Sequence, residues 1–218
     1  MRARLAALLL SLLAAPLRAQ DTQLSATDQA GNFFSVLNLF TGNHEYIQVR
    51  KLDAGGGTVW TQLRDPGVDQ RAAAIATDPS GGVMVASVMK DNARRVMVLF
   101  HYTADGQYDW ERVFNDAVEN IPDTAATDRE GNYFVAGSAR QGARTIARLW
   151  KCDPQGVQIW MREYDNQSGN TYARQLNVDL SGGASLGVES VQNQSATSGQ
   201  FTLVTITYDP NGNQVLVR

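Results

Sequence analysis

Ala126-Thr127-Asp128-Arg129-Glu130-Gly131-Asn132-Tyr133-Phe134-Val135-Ala136-Gly137 and, further on, Cys152-Asp153-Pro154-Gln155-Gly156-Val157-Gln158-Ile159-Trp160 contain two turns of one kind with different continuations. Each turn is Asp-x-x-Gly. The aspartate accepts hydrogen bonds from the amides that follow it, a proline at the second position presets φ, and the glycine takes a left-handed backbone that closes a hairpin. The pattern recurs at Asp28–Gly31, Asp53–Gly56, Asp78–Gly81, Asp128–Gly131, Asp153–Gly156, Asp179–Gly182 and Asp209–Gly212, with Thr103–Gly106 as a variant copy. Glycines 31, 56, 81, 106, 131 and 156 are spaced by 25 residues, and the last two intervals, to Gly182 and Gly212, are 26 and 30.

The continuations sort these turns into two classes. Trp60, Trp110 and Trp160 each stand four residues after Gly56, Gly106 and Gly156, whereas the other glycines lead into Asn32, Gly82, Asn132 and Gly183. The true repeat is therefore 50 residues long and holds two hairpins, or four strands, A to D. Four units span approximately 24–63, 72–114, 124–163 and 175–218, with Leu216 in place of the tryptophan in the last. The flanking runs, such as Val83-Met84-Val85-Ala86 and Ile146 to Cys152, are short and rich in β-branched and aromatic residues, and no stretch has helical period.

Tandem four-stranded units predict an all-β fold, a β-propeller of four four-stranded antiparallel blades. Two closures follow: a four-bladed ring, or an open half-ring completed by dimerisation. An open arc is expected to present an apolar blade face, and so a homodimer surface. In strand C, Val49, Leu99 and Leu149 point one way and Phe100, Trp150, Tyr102 and Cys152 the other, which suits a blade sandwiched between blades. A transmembrane barrel needs longer strands with one polar face. A solenoid with 25-residue coils leaves the alternation of tryptophan unexplained.

The two quoted segments resemble the bacterial β-propeller repeat families of SBBP type, which alternate an Ala-x-Asp-x-x-Gly-Asn-x-Tyr-Val-x-Gly hairpin with a Tyr-Asp-x-x-Gly-x-x-x-Trp hairpin. The likeness covers nearly the whole chain after its first residues. Gly-x-x-x-Trp is also similar to the docking motif of pyrroloquinoline-quinone enzyme blades. There too it is structural, locking one blade to the next, and it implies no cofactor. The resemblance thus implies structural roles for Asp28, Gly31, Gly56, Trp60, Asp78, Gly81, Gly106, Trp110, Asp128, Gly131, Asp153, Gly156, Trp160, Asp179, Gly182, Asp209 and Gly212. Relatives of this kind usually close with six to eight blades, and four units stand here.

Residues 1–19 read as a cleavable secretory signal: Arg2 and Arg4, an apolar Leu5 to Ala15, then Pro16 and Ala19. Secretion or a periplasmic location is expected. The chain has 19 basic and 22 acidic residues; without Arg2, Arg4 and Arg18 the balance is 16 against 22, a net −6. Such a balance gives no electrostatic footprint for nucleic acid or anionic membrane. Cys152 is the only cysteine, so no internal disulfide forms, and its place in the repeat, shared with Leu52, Tyr102 and Tyr208, reads as core.

Tips A–B and C–D lie on one face. Loops B–C and D–A share the other, at about 38–45, 64–72, 88–95, 115–123, 138–145, 164–174 and 189–200, and are expected to be longer and to carry any binding. Candidate ligand-binding residues there are Asp65, Arg71, Asp116, Glu119, Asp165 and Arg174, although ordinary solvated loop polarity is the default expectation for such residues. Enzyme signatures fail. His44-Glu45 lacks the second histidine of a zinc-protease motif, Gln48 standing there. His101 matches Lys51 and Lys151, which points to a solvent-side position. Gly55-Gly56-Gly57 belongs to a hairpin tip. The chain is therefore expected to be a secreted, non-enzymatic binding module for a protein or glycan, with no cofactor and no metal. The alternative is a polysaccharide-acting propeller hydrolase or lyase using loop carboxylates.

Overall fold

The computed structural model describes residues 23–167, 169–192 and 201–218. The expected signal and most of the loop at 189–200 lie outside the described residues. The chain is all-β. Its strands are β1 (Gln23–Thr27), β2 (Phe33–Phe40), β3 (Glu45–Leu52), β4 (Thr58–Arg64), β5 (Gln70–Thr77), β6 (Val83–Asp91), β7 (Arg94–Tyr102), β8 (Tyr108–Phe114), β9 (Glu119–Thr127), β10 (Tyr133–Gln141), β11 (Arg144–Cys152), β12 (Gln158–Tyr164), β13 (Gly169–Val178), β14 (Ala184–Gln192), β15 (Phe201–Tyr208) and β16 (Gln214–Val217). Among the described residues no helix is long and apolar enough to cross a membrane.

Each consecutive set of four strands is an antiparallel meander, hinged at the predicted turns. In the turn between β9 and β10, Asp128 Oδ1 accepts the amides of Glu130 and Asn132 at 3.0 and 2.9 Å, and Gly131 holds φ at 85°. The same arrangement recurs at Asp209, whose Oδ1 accepts the amides of Asn211 and Asn213 at 2.9 and 2.8 Å. The B–C connections are shorter than expected. Strands β6 and β7 pair out to Asp91 with Arg94, and β10 and β11 out to Gln141 with Arg144, leaving two-residue turns at Asn92-Ala93 and Gly142-Ala143. Asn92 (φ 52°) and Gly142 (φ 60°) supply the left-handed first residue that such turns require.

The hydrogen-bonded sheets number three, of four, eight and four strands, where four separate sheets were expected. The eight-stranded sheet joins the second and third meanders through one parallel pair, Arg95 with Glu119, because the Arg95 amide reaches the Val118 carbonyl at 3.2 Å. Units pack in succession, β1 against β5, β5 against β9 and β9 against β13, and no packing of comparable extent returns from β13 to β1. Among the described residues no closed ring is found.

Three apolar cores lie between successive units, not within them. Phe34, Val36, Ile47 and Val49 of the first unit meet Val83, Val85, Val98 and Phe100 of the second. Met84, Leu99 and Trp110 meet Tyr133, Val135, Trp150 and Cys152. Phe134, Leu149 and Trp160 meet Leu186, Ile206 and Tyr208. The inner units bury both sheet faces, so β6 and β10 open on buried apolar runs, Val83–Ala86 and Tyr133–Ala136, whereas β16 is exposed throughout.

Each tryptophan docks on the next unit. The indole N–H of Trp60 donates to the Ala104 carbonyl at 3.0 Å, that of Trp110 to Pro154 at 3.0 Å, and that of Trp160 to Pro210 at 3.1 Å. The rings lie over Gly106, Gly156 and Gly212, where a Cβ would come within 2.8, 2.6 and 2.9 Å of the indole. Glycine at these tips therefore serves the contact as well as the turn.

The outer faces of the two end units differ from these boundaries. On the first unit, Ser35 and Arg50 occupy the repeat positions that Val85 and Phe100, Val135 and Trp150, or Leu186 and Ile206 fill elsewhere. On the fourth, Ser185, Gly187, Thr205 and Thr207 replace Phe34, Val36, Val49 and Lys51 and their equivalents. The fourth unit's end face is therefore largely polar, whereas the first unit's carries Phe33, Leu37, Leu39, Tyr46 and Leu52 beside Ser35, Arg50 and Gln48. Leu203, exposed at 79%, is the main apolar exception on the fourth unit's face.

Candidate functional site

The cations at position 51 of the repeat do not face solvent. Lys51, His101 and Lys151 are 5%, 5% and 6% exposed, which overturns the solvent-side expectation for His101. Lys51 lies between the first two units, where its ammonium donates to the carbonyls of Gly81 and Ala104 at 2.8 and 3.2 Å. The repeat phase was right and the inference of exposure was wrong, because this face of strand C abuts the next unit.

On the opposite face of the molecule, where the D–A and B–C connections gather, a cleft of about 990 Å³ opens across the first three units. Phe40, Ala73, Val88 and Ile121 give it an apolar floor, and seven charged side chains ring it: Glu45, Asp69, Arg71, Lys90, Arg94, Arg95 and Glu119. The strands explain the gathering. Phe40 and Glu45 end β2 and begin β3, Arg71 and Glu119 open β5 and β9, and Lys90, Arg94 and Arg95 flank the tight β6–β7 turn.

The carboxylates of this ring have fixed partners. Asp69 Oδ1 accepts the Glu45 amide at 3.0 Å. Glu45 lies 3.8 Å from Arg71, and Glu119 lies 3.8 Å from Arg140. No carboxylate pairs with Lys90, Arg94 or Arg95 among the described residues; Arg94 reaches only the Asn115 carbonyl, at 3.4 Å. The cleft thus carries uncompensated positive charge on a chain that is acidic overall.

Of the six residues singled out from sequence, Arg71 and Glu119 line this cleft. The others lie outside it and are bound to neighbours. Asp65 sits 2.6 Å from His44 Nε2 and accepts the Gly67 amide, which with the histidine hold its carboxyl below the usual carboxylate range. Asp116 receives the buried Arg148 at 2.8 Å and Asn120 at 2.9 Å, and Arg148 also pairs with Glu163 at 2.6 Å. Asp165 pairs with Arg144 at 2.9 Å, and Arg174 bridges Glu189 and Asp123 at 2.8 and 3.2 Å. Lys90, Arg94 and Arg95 are hard to single out from sequence, because the run 88–95 has the composition of a long loop. Their run of three cations around Asn92-Ala93 was the available signal.

A second, smaller cavity of about 280 Å³ opens on the tight-turn face at the middle boundary, beside Asp78, His101, Asp109 and Tyr133. Burial works against the charge of Asp78, but hydrogen bonds from His101, Ser80 and the Gly82 amide outweigh it and hold the carboxyl well below its usual value. Among the described residues no cluster of three or more metal-ligating side chains occurs.

No protein-family profile and no curated protein sequence matches the chain. In structure it is similar to an ulvan lyase, a polysaccharide lyase solved with -[GlcA(1-4)Rha3S]- bound, with a TM-score of 0.57 and 10% sequence identity, over 90% of this chain and 56% of that one. It is also similar to a lignostilbene dioxygenase from Pseudomonas brassicacearum, with a TM-score of 0.51 and 13% identity, over 89% of this chain and 46% of that one. The chain spans about half the length of these proteins. Both are β-propeller-type folds, and the likeness shows that fold class.

Proposed function

We propose that this protein is an exported propeller-type binding module, an open arc of four blades that holds an anionic carbohydrate chain in the cleft on its D–A and B–C face. The observation that carries the reading is the group Lys90, Arg94 and Arg95, which edges an apolar-floored cleft of about 990 Å³ without partner carboxylates. Guanidinium groups match carboxylate and sulfate oxygens in bidentate geometry, and the apolar floor suits the C–H faces of sugar rings. The GlcA–Rha3S repeat bound by the ulvan lyase is a chain of this chemical class. The expectation of export from residues 1–19 is consistent with an encounter with such polymers.

Binding is favoured over hydrolysis or elimination because the cleft's three carboxylates are held by fixed partners, and its lining has no histidine, tyrosine, serine or cysteine. The polar end face of the fourth unit supports an open arc of four blades over an arc closed by dimerisation through that face.

Calorimetric titration with a polyuronate, a sulfated polysaccharide and a neutral glucan tests the reading. Saturable binding to the acidic polymers is expected, with affinity falling at least about tenfold in Arg94→Glu/Arg95→Glu, equivalent to about 1.4 kcal/mol. Equal binding to the neutral glucan, or binding to none of the three, overturns it.

A further inference from the structure

The three boundaries between units share one plan, and the middle one departs from it at three positions together. At the first boundary Asp28 Oδ2 receives Asn32 Nδ2 at 2.8 Å and lies 3.5 Å from Lys51, which continues to carbonyls of the next unit. At the third, Asp128 Oδ2 receives Asn132 Nδ2 at 2.8 Å and lies 3.7 Å from Lys151, which reaches the Pro210 carbonyl at 3.3 Å. At the middle boundary the asparagine is Gly82 and the lysine is His101. Tyr133 stands across from them, where the flanking boundaries have Val83 and Ala184.

These three residues fit one another. A Cβ on residue 82 would lie 2.6 Å from His101 Nε2 and 2.6 Å from Asp78 Oδ2, so the absent side chain makes room for the imidazole. His101 Nε2 is 2.7 Å from Asp78 Oδ2, and its Nδ1 is 3.1 Å from Asp109 Oδ2. The ring stacks on Trp110, with centroids 5.4 Å apart and planes 13° from parallel. The Tyr133 hydroxyl donates to Asp78 Oδ2 at 3.0 Å.

Both ring nitrogens therefore face carboxylates. A neutral imidazole has one N–H, and only the imidazolium has two. The imidazolium takes over the charge that lysine supplies at the flanking boundaries, but histidine changes charge between about pH 5 and 8 and lysine does not. We infer that the boundary between the second and third units is a proton-responsive joint. Protonated, His101 ties Asp78 and Asp109 under the docked Trp110; deprotonated, one ring nitrogen turns a lone pair toward a carboxylate and the joint loosens.

The charged groups facing the ring are Asp78 from the β5–β6 turn, Asp109 from β8 and Tyr133 from β10, with Arg129 and Glu130 of the β9–β10 turn on the adjoining cavity. Two carboxylates accept from a doubly protonated ring and only one from a neutral ring, so the joint's hydrogen bonds are complete on the acid side of the histidine range and one is lost on the basic side.

Two measurements on the full protein test this. Imidazole nitrogen shifts by NMR are expected to show His101 carrying two N–H groups at about pH 6 and losing one by about pH 9, with His44→Gln, outside the joint, removing overlap. Melting temperature between those pH values is expected to fall in the wild type relative to Gly82→Asn/His101→Lys/Tyr133→Val, which rebuilds the first boundary's plan, by about 2–4 °C. Protection factors of the Glu130 to Asn132 amides, with exchange corrected for its intrinsic pH dependence, should fall over the same range only in the wild type. A neutral His101 at pH 6 overturns the proposal. So does parallel pH dependence of the two proteins; if the triple variant does not fold, Asp109→Asn serves, and an unchanged His101 titration in it overturns the proposal equally.

Discussion

The indole N–H of Trp110 donates to the carbonyl oxygen of Pro154 at 3.0 Å, across the boundary between the second and third units. The ring lies against Gly156, where a Cβ would come within 2.6 Å of it. One side chain thus joins a hydrogen bond to the packing of an adjacent hairpin tip. Trp110→Ala is expected to cost about 3–5 kcal/mol, through the lost packing and the cavity it leaves, measured as the urea midpoint multiplied by the m-value. Trp60→Ala should cost less, because Trp60 is only partly buried and Trp110 is 7% exposed.

Gly137→Ala is expected to be severe for a different reason. A Cβ there would lie 2.1 Å from the Ile121 carbonyl oxygen and 2.8 Å from Pro122 Cα, both backbone atoms at the point where β9 and β10 shift register. A loss of about 3 kcal/mol is expected in chemical denaturation. Gly142→Ala is the control: nothing lies within 4 Å, and only its φ of 60° is strained, so about 1 kcal/mol is expected.

The depressed carboxyl of Asp78 links stability to acid. A folded-state value below the ordinary 3.8 means that the contribution is complete above that value and is lost as pH falls through the lower, folded value. The melting temperature of the wild type should therefore drop below about pH 4, and Asp78→Asn should show a shallower drop from a lower plateau. Identical acid profiles for the two proteins would show that Asp78 carries none of the effect.

Cys152 is fully buried, and burial, helped by the nearby Asp153 charge, pushes its thiol up to about 12. The thiolate is the reactive form. Alkylation by iodoacetamide at pH 8 should be negligible in the native protein and complete in denaturant, read by mass spectrometry. Stoichiometric labelling of folded protein would contradict its placement in the core.

The turns were the most readable part of the sequence. Asp, Pro and Gly report local backbone geometry, so eight hairpin tips and the pairing of alternate turns follow from residues such as Asp128, Pro154 and Gly131. The tryptophans likewise marked the contact between units. Less readable were features that depend on which sheet face meets a neighbour. Lys51 and His101 look like surface residues in a strand and are buried because the adjoining unit covers them. The cleft was harder still. Arg71 and Glu119 were found from their loops, but Lys90, Arg94 and Arg95 were obscured because Asn92-Ala93 gives a tighter turn than the polar run suggests. The polar end face of the fourth unit is visible only when Ser185 and Thr205 are compared with their repeat equivalents.

The end faces also bear on how the molecule comes apart. Each inner unit is held by two boundaries, and each end unit by one. The fourth unit lacks a tryptophan, and nothing lies within 4 Å of a Cβ at Gly56, the tip on which such a residue would dock. A linear array of this kind unfolds by fraying from its ends, with the cost of opening set by one nearest-neighbour interface at a time. The slowest-exchanging amides should then be those of β6, β7, β10 and β11, and cooperativity should decline toward β1 and β16. In a closed ring no unit is an end, and that gradient would vanish.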